Sequence, residues 1–214
     1  MGKTKEVKFY PPLEEKINVY SHVLGLGLSI VGFPFLIYAA IQHGDFWSIL
    51  SFSIYGLSLI VLYAASSYYH KATEVKLRSR LRIVDHASIY VLIAGTYTPY
   101  ALVTLKGSIG WILFSVVWGF ALIGITLKLF FTGRFNIIST LMYVLMGWLA
   151  IFAYKPLVEN LPAEGIYWLA MGGLFYTVGA ILYAIKKIKF NHAIFHVFVL
   201  LGSFCHFISI YFYV

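Results

Sequence analysis

Seven apolar stretches, near residues 17 to 41, 46 to 69, 84 to 104, 109 to 130, 136 to 154, 165 to 185 and 191 to 213, occupy the chain almost end to end. Each is about as long as the roughly 20 residues an α-helix needs to cross a hydrocarbon layer of about 30 Å. A segment surrounded by lipid must satisfy its own backbone hydrogen bonds, which a helix does within itself. The expected fold is all-α: an integral membrane bundle of seven transmembrane helices over residues 17–214, preceded by a short tail of residues 1–16. Connections of about 4 to 14 residues make sequential helices neighbours and leave no room for a soluble domain. Met1 to Tyr10 is polar and is followed by Pro11 and Pro12, so the first apolar stretch is read as a retained helix and not as a cleaved leader.

A net charge of +8 on a chain with only 11% charged residues raises the question of a nucleic-acid partner. The positions of the charges answer it. The tail holds Lys3, Lys5, Lys8 and Lys16, the second loop Lys71, Lys76, Arg78, Arg80 and Arg82, the fourth Lys128 and Arg134, the sixth Lys186, Lys187 and Lys189; only Lys106 and Lys155 fall on the other side. Basic residues collect on the cytoplasmic side of a membrane, so this alternation predicts a cytoplasmic N-terminus and an extracellular C-terminus. The basic surface then faces anionic headgroups, and no nucleic acid is implied. The single cysteine, Cys205, permits no internal disulfide and no Cys-x-x-Cys motif, and reads as a small buried apolar residue.

Ionisable groups inside membrane helices are costly and therefore point to function. Asp85 is the one acidic residue so placed. Ser66 and His70 lie four apart near the end of helix two, and His192 and His196 lie four apart at the start of helix seven. Residues at that spacing share a helix face one turn apart, so the two helix-seven imidazoles can serve one ion. The predicted topology brings all five residues to one depth at the cytoplasmic side. His70, His192 and His196 then make a three-histidine set for Zn2+ with a fourth position open to water. Asp85 is suited to act as base toward that water, and Ser66 to orient water or a substrate carbonyl. The histidines must be neutral to bind, so acidification is expected to release the ion.

These patterns resemble the hemolysin III proteins, the bacterial branch of the progestin and adipoQ receptors, in a superfamily that also contains alkaline ceramidases. The resemblance covers nearly the whole chain. Besides the five residues above, it rests on Glu15, Asn18, Ser21 and His22, on Gly95-Thr96-Tyr97-Thr98-Pro99, and on the run from His192 through Cys205-His206-Phe207. It implies a seven-helix fold in the bacterial cell membrane, with zinc on the cytoplasmic side held by His70, His192 and His196, and with Asp85 and Ser66 near the bound water. Its name implies haemolysis, and the wider superfamily implies lipid-amide hydrolysis or receptor behaviour.

Three functions compete. A zinc-dependent hydrolase of lipid amides, acting in membrane lipid homeostasis, uses the most residues. A receptor-like sensor would need an output surface that the short loops do not offer, and a cytolysin would need a polar stripe along several helices. Membrane lipids are the expected partners, and no protein partner is indicated. The remaining histidines read more plainly. His86 points about 100 degrees from Asp85, and His206 lies about 15 Å along the axis from His196, too far to share an ion. His22 can support the site together with Glu15 or Asn18, although interfacial anchoring is its simpler role. Pro34 and Pro99 are expected to kink helices one and three, and Gly25, Gly27, Gly32, Gly172 and Gly173 to let helices approach.

Overall fold

The computed structural model describes residues 8–131 and 136–214. Among the described residues the ordered elements are all helical, and seven spans are long and apolar enough to cross a membrane. The helices outrun the apolar stretches because hydropathy marks only the part suited to lipid. Helix α1 (Pro12–His43) starts inside the segment read as a tail. Pro12 tolerates the first helical position, where its missing N–H has no helical acceptor, and Glu14 and Glu15 face the positive end of the helix dipole. At its far end Gly44 adopts φ 73° and returns its N–H to the Ile41 carbonyl. Helix α2 (Phe46–Lys71) is capped by Asp45, which accepts from the Ser48 N–H at 3.0 Å and the Ser48 hydroxyl at 2.7 Å.

Helix α3 (Val75–Pro99) carries its first turns on the basic residues of the second loop and continues as a π-helical segment, Tyr100–Leu105. Helix α4 spans Gly107–Phe131. The fifth span, expected as one helix, is broken: α5 (Asn136–Gly147) gives way to a 3₁₀ segment (Leu149–Ala153) and then α6 (Tyr154–Asn160). Pro156 lies in the first turn of α6, where a missing N–H is harmless. The break frees backbone groups in an apolar layer, and Tyr97 supplies both partners. Its hydroxyl donates to the Gly147 carbonyl at 2.8 Å and accepts from the Ala150 N–H at 2.9 Å. Helices α7 (Ala163–Ala184) and α8 (Asn191–Tyr213) complete the bundle.

Packing is uneven. In the most apolar stretch of each span, 72% of α3 and 56% of α2 is buried, against 17% of the fifth span. The core is centred on α2 and α3 and includes Phe52, Tyr55, Tyr63, Tyr90 and Ile210. α8 packs on both α1 and α7 and closes the ring. Exposed Phe130, Leu145 and Phe152 belong to an apolar outer surface suited to lipid.

Candidate metal centre

The chain reverses between α7 and α8 through Phe190, whose φ of 57° is uncommon for a residue with a side chain. Asn191 donates its amide to the Tyr183 carbonyl at 2.7 Å and ties the two helices together. This places His192 and His196 on the first two turns of α8, opposite His70 on the last turn of α2. The three rings are buried, and their metal-binding nitrogens lie within 4.8 Å of one another. His192 Nε2 stands 3.0 Å from His70 Nε2 and 3.1 Å from His196 Nε2. Nitrogens on one tetrahedral ion, each roughly 2.0 to 2.1 Å from it, would stand about 3.3 Å apart.

The hydrogen-bond chemistry fits an ion at this point. His70 Nδ1 lies 2.7 Å from Glu15 Oε2, a carboxylate that only accepts when ionised, so Nδ1 carries the proton and Nε2 presents a lone pair. A carboxylate behind a ligating histidine is the usual support for a bound metal. The central His192 Nε2 cannot satisfy both neighbours with one proton, whereas a cation satisfies all three. Nδ1 of His192 has no hydrogen-bond partner among the described residues, and the His196 ring lies within reach of the Asn18 main chain, while Nε2 of both rings faces the cluster. The cluster can therefore hold a metal ion.

Ser66 and Asp85, both buried, join His192 and His196 along one wall of a cavity of about 350 Å³. Asp85 lies near Ser66 and within electrostatic reach of His70, yet stands outside the converging nitrogen set. His86 is outside the converging nitrogen set but lines the same cavity, with its Nε2 3.9 Å from Asp85 Oδ2. His22 departs from the anchoring role: it is 4% exposed and stacks on His196 with ring centres 3.6 Å apart. Gly25, one turn below, leaves room for the Tyr63 ring, which meets His22 edge-on at 5.1 Å; a Cβ at position 25 would fall 2.6 Å from that ring.

Two further residues of the site carry no signal in the sequence. Arg78 reads in sequence as loop charge, yet it is 1% exposed and clamps the site from behind. Its Nη1 donates at 3.1 Å to the carbonyls of Tyr69, His70 and Ala72, its Nε to the Lys8 carbonyl at 3.1 Å, and its Nη2 pairs with Glu15. It thus covers the orphan carbonyls at the end of α2 while holding the carboxylate that supports His70. In sequence it looks the same as Arg80 and Arg82. Tyr10 stacks on His192 with centres 4.5 Å apart and planes within 10°. Burial pushes its phenol above the usual range, so it stays protonated at neutral pH.

A seven-helix membrane bundle with a buried three-histidine cluster at one end of an apolar cavity is the class defined by fold and site. The chain belongs to the haemolysin-III-related family, whose model matches residues 11–207. It is 48% identical over 200 residues to the Hemolysin-3 homolog of Bacillus subtilis (strain 168), covering 94% of each chain. It is 46% identical over 201 residues to Hemolysin-3 of Bacillus cereus, covering 94% of this chain and 92% of the other. A more distant relative, the human monocyte to macrophage differentiation factor, is 27% identical over 210 residues, with 92% and 83% covered. The seven apolar helices and the Bacillus relatives make this a multi-pass protein of the bacterial plasma membrane.

Proposed function

We propose that the protein is a zinc-dependent hydrolase of lipid amides acting in membrane lipid homeostasis. The observation that carries this reading is the convergence of a three-nitrogen cluster, a buried carboxylate and a hydroxyl at one end of an apolar cavity of about 350 Å³. Bound zinc would supply Lewis acidity, lowering the pKa of a water from 15.7 to about 7 and polarising a carbonyl oxygen. His70, His192 and His196 would hold the ion, and Glu15 and Arg78 would keep His70 in the tautomer that binds. Asp85 would take the proton from the attacking water and deliver it to the leaving amine. Ser66, one turn from His70, would orient the amide. The apolar walls would receive the acyl chain and keep bulk water out, and Tyr10 would cover His192 from the side of the N-terminal segment.

The site end of the bundle also gathers basic residues, with Lys8 within electrostatic reach of Lys186 and Arg82 within reach of Lys128. That distribution supports a cytoplasmic site, facing the inner leaflet from which a membrane lipid would enter. The test is metal analysis and ceramide turnover on detergent-purified protein. Near one zinc per chain, with turnover lost in Asp85→Asn while the zinc stays, is expected. A wild type that binds no zinc, or an Asp85→Asn variant that turns over as fast as wild type, overturns the reading. The name Hemolysin-3 carried by the Bacillus cereus relative favours a second reading, permeation of bilayers, which dye leakage from protein-loaded vesicles tests directly.

A further inference from the structure

The cavity that begins at the histidine cluster extends to a second group of polar side chains. His206 is ten residues beyond His196 on α8, which places it about 15 Å along the helix axis. It lines the cavity, is 6% exposed, and its Nδ1 has no hydrogen-bond partner among the described residues. Helix α7 makes room for this ring: a Cβ at Gly172 would lie 2.6 Å from His206 Nε2. Tyr176 packs beside it with ring centres 5.3 Å apart. Tyr100, the first residue of the π-helical segment, also lines the cavity; it is 2% exposed, and its hydroxyl lies beside that of Ser209, which leaves its oxygen lone pairs free to accept. π-helical turns within membrane or soluble helices recur at functional sites. Tyr55 lies within electrostatic reach of both Tyr100 and Tyr176, so the groups share one region of the bundle.

The surrounding hydroxyls are already committed. The Ser203 hydroxyl meets those of Tyr63 and Tyr176 at 2.8 and 2.9 Å, and the Ser209 hydroxyl donates to the Gly165 carbonyl at 2.8 Å. Tyr97 is occupied by the break in the fifth span. His206 Nδ1 remains open, and Tyr100 keeps acceptor capacity, where an apolar wall would have been cheaper; buried polar groups are ordinarily paired. We propose that His206 and Tyr100 form a second polar station that hydrogen-bonds a hydroxyl or keto group carried along the chain of a bound acyl lipid. This rests on the reading of the cavity as a lipid site. An extended chain advances roughly 1.25 Å per carbon, from a C–C bond of about 1.5 Å at a tetrahedral angle. The station therefore meets a substituent about 12 carbons from a headgroup held at the histidines. A site built to pair a ligand hydroxyl discriminates strongly against the analogue that lacks it.

The experiment compares stearic acid with 12-hydroxystearic acid for binding to the detergent-purified full chain, by calorimetry and by intrinsic tryptophan fluorescence. The hydroxylated acid is expected to bind at least tenfold more tightly to the wild type. His206→Phe/Tyr100→Phe, checked for an unchanged thermal midpoint, is expected to bind both acids equally while keeping the affinity for stearic acid. Equal affinity in the wild type overturns the proposal, and is also the result if a tightly held water already pairs the two atoms. So does a preference that survives in the double variant. The wild-type comparison stands even if that variant fails to fold. Ceramide turnover without any preference would leave the hydrolase reading and remove this one; a preference without turnover would do the reverse. Binding of neither acid removes the lipid cavity and this proposal with it.

Discussion

The histidine end and the fifth span are built on opposite principles. At the histidine end, α1, α2, α3 and α8 pack closely, and Arg78 alone makes five polar contacts to main chain and carboxylate. The fifth span is interrupted in the middle, is the least buried of the seven, and depends on one phenol for the groups freed by its break. Both regions border the same cavity. On the proposed hydrolase reading, chemistry would need groups held to a fraction of an ångström and entry of a long ligand a wall that yields, and the two demands would fall on different helices.

Replacing the helix-eight histidines gives the largest expected effect. His192→Ala/His196→Ala should reduce zinc from near one per chain to near zero by elemental analysis, while the helical circular dichroism stays unchanged. Retained zinc would separate the converging nitrogens from metal binding. Arg78→Met is next: it strands the His70 and Ala72 carbonyls and takes from Glu15 its cationic partner, leaving His70 and the Tyr10 N–H on that carboxylate, and should cost about 3 kcal/mol in chemical denaturation. A loss below about 1 kcal/mol would mean that the histidine end is less rigid than its contacts suggest.

Tyr97→Phe leaves two backbone groups unpaired in the fifth span and should cost about 1 to 2 kcal/mol. Its signature is local: amide exchange should accelerate between Gly147 and Tyr154 and not in α3 or α8. Uniform acceleration would remove the contrast between the two regions. Asp45→Ala, at a cap that touches neither, should cost about 1 kcal/mol near pH 7. The Ser48 hydrogen bonds hold the Asp45 carboxyl below its ordinary range, so the stabilisation is present above the unfolded value of about 3.9 and fades as pH falls through the folded value. Thermal midpoints of the variant and wild type should therefore converge as the pH is lowered through that folded value.

Seven spans and the meeting of His70 with His192 and His196 were legible because hydropathy and spacing four apart are local signals that topology converts into position. The break near Gly147 was not legible, since Pro156 and Gly147 are common in membrane helices and the compensating Tyr97 lies 50 residues away. Arg78 could not be told from its basic neighbours because burial depends on where the N-terminal segment folds. His22 was misread as an anchor for a related reason. Its sequence neighbours are interfacial, while the stack on His196 joins residues from the first and last helices.

The ends of the site are also far apart in time. Glu15, His70 and Arg78 emerge early in synthesis, and His192 follows His70 by 122 residues. Chains emerge N-terminal part first, so the first three helices can assemble a half-site with its carboxylate support before any complete ion site exists. On the proposed reading, zinc retention would report that the seventh span has inserted and docked against the first. On that reading a nascent chain arrested before Asn191 should hold no zinc, and occupancy would mark the finished bundle.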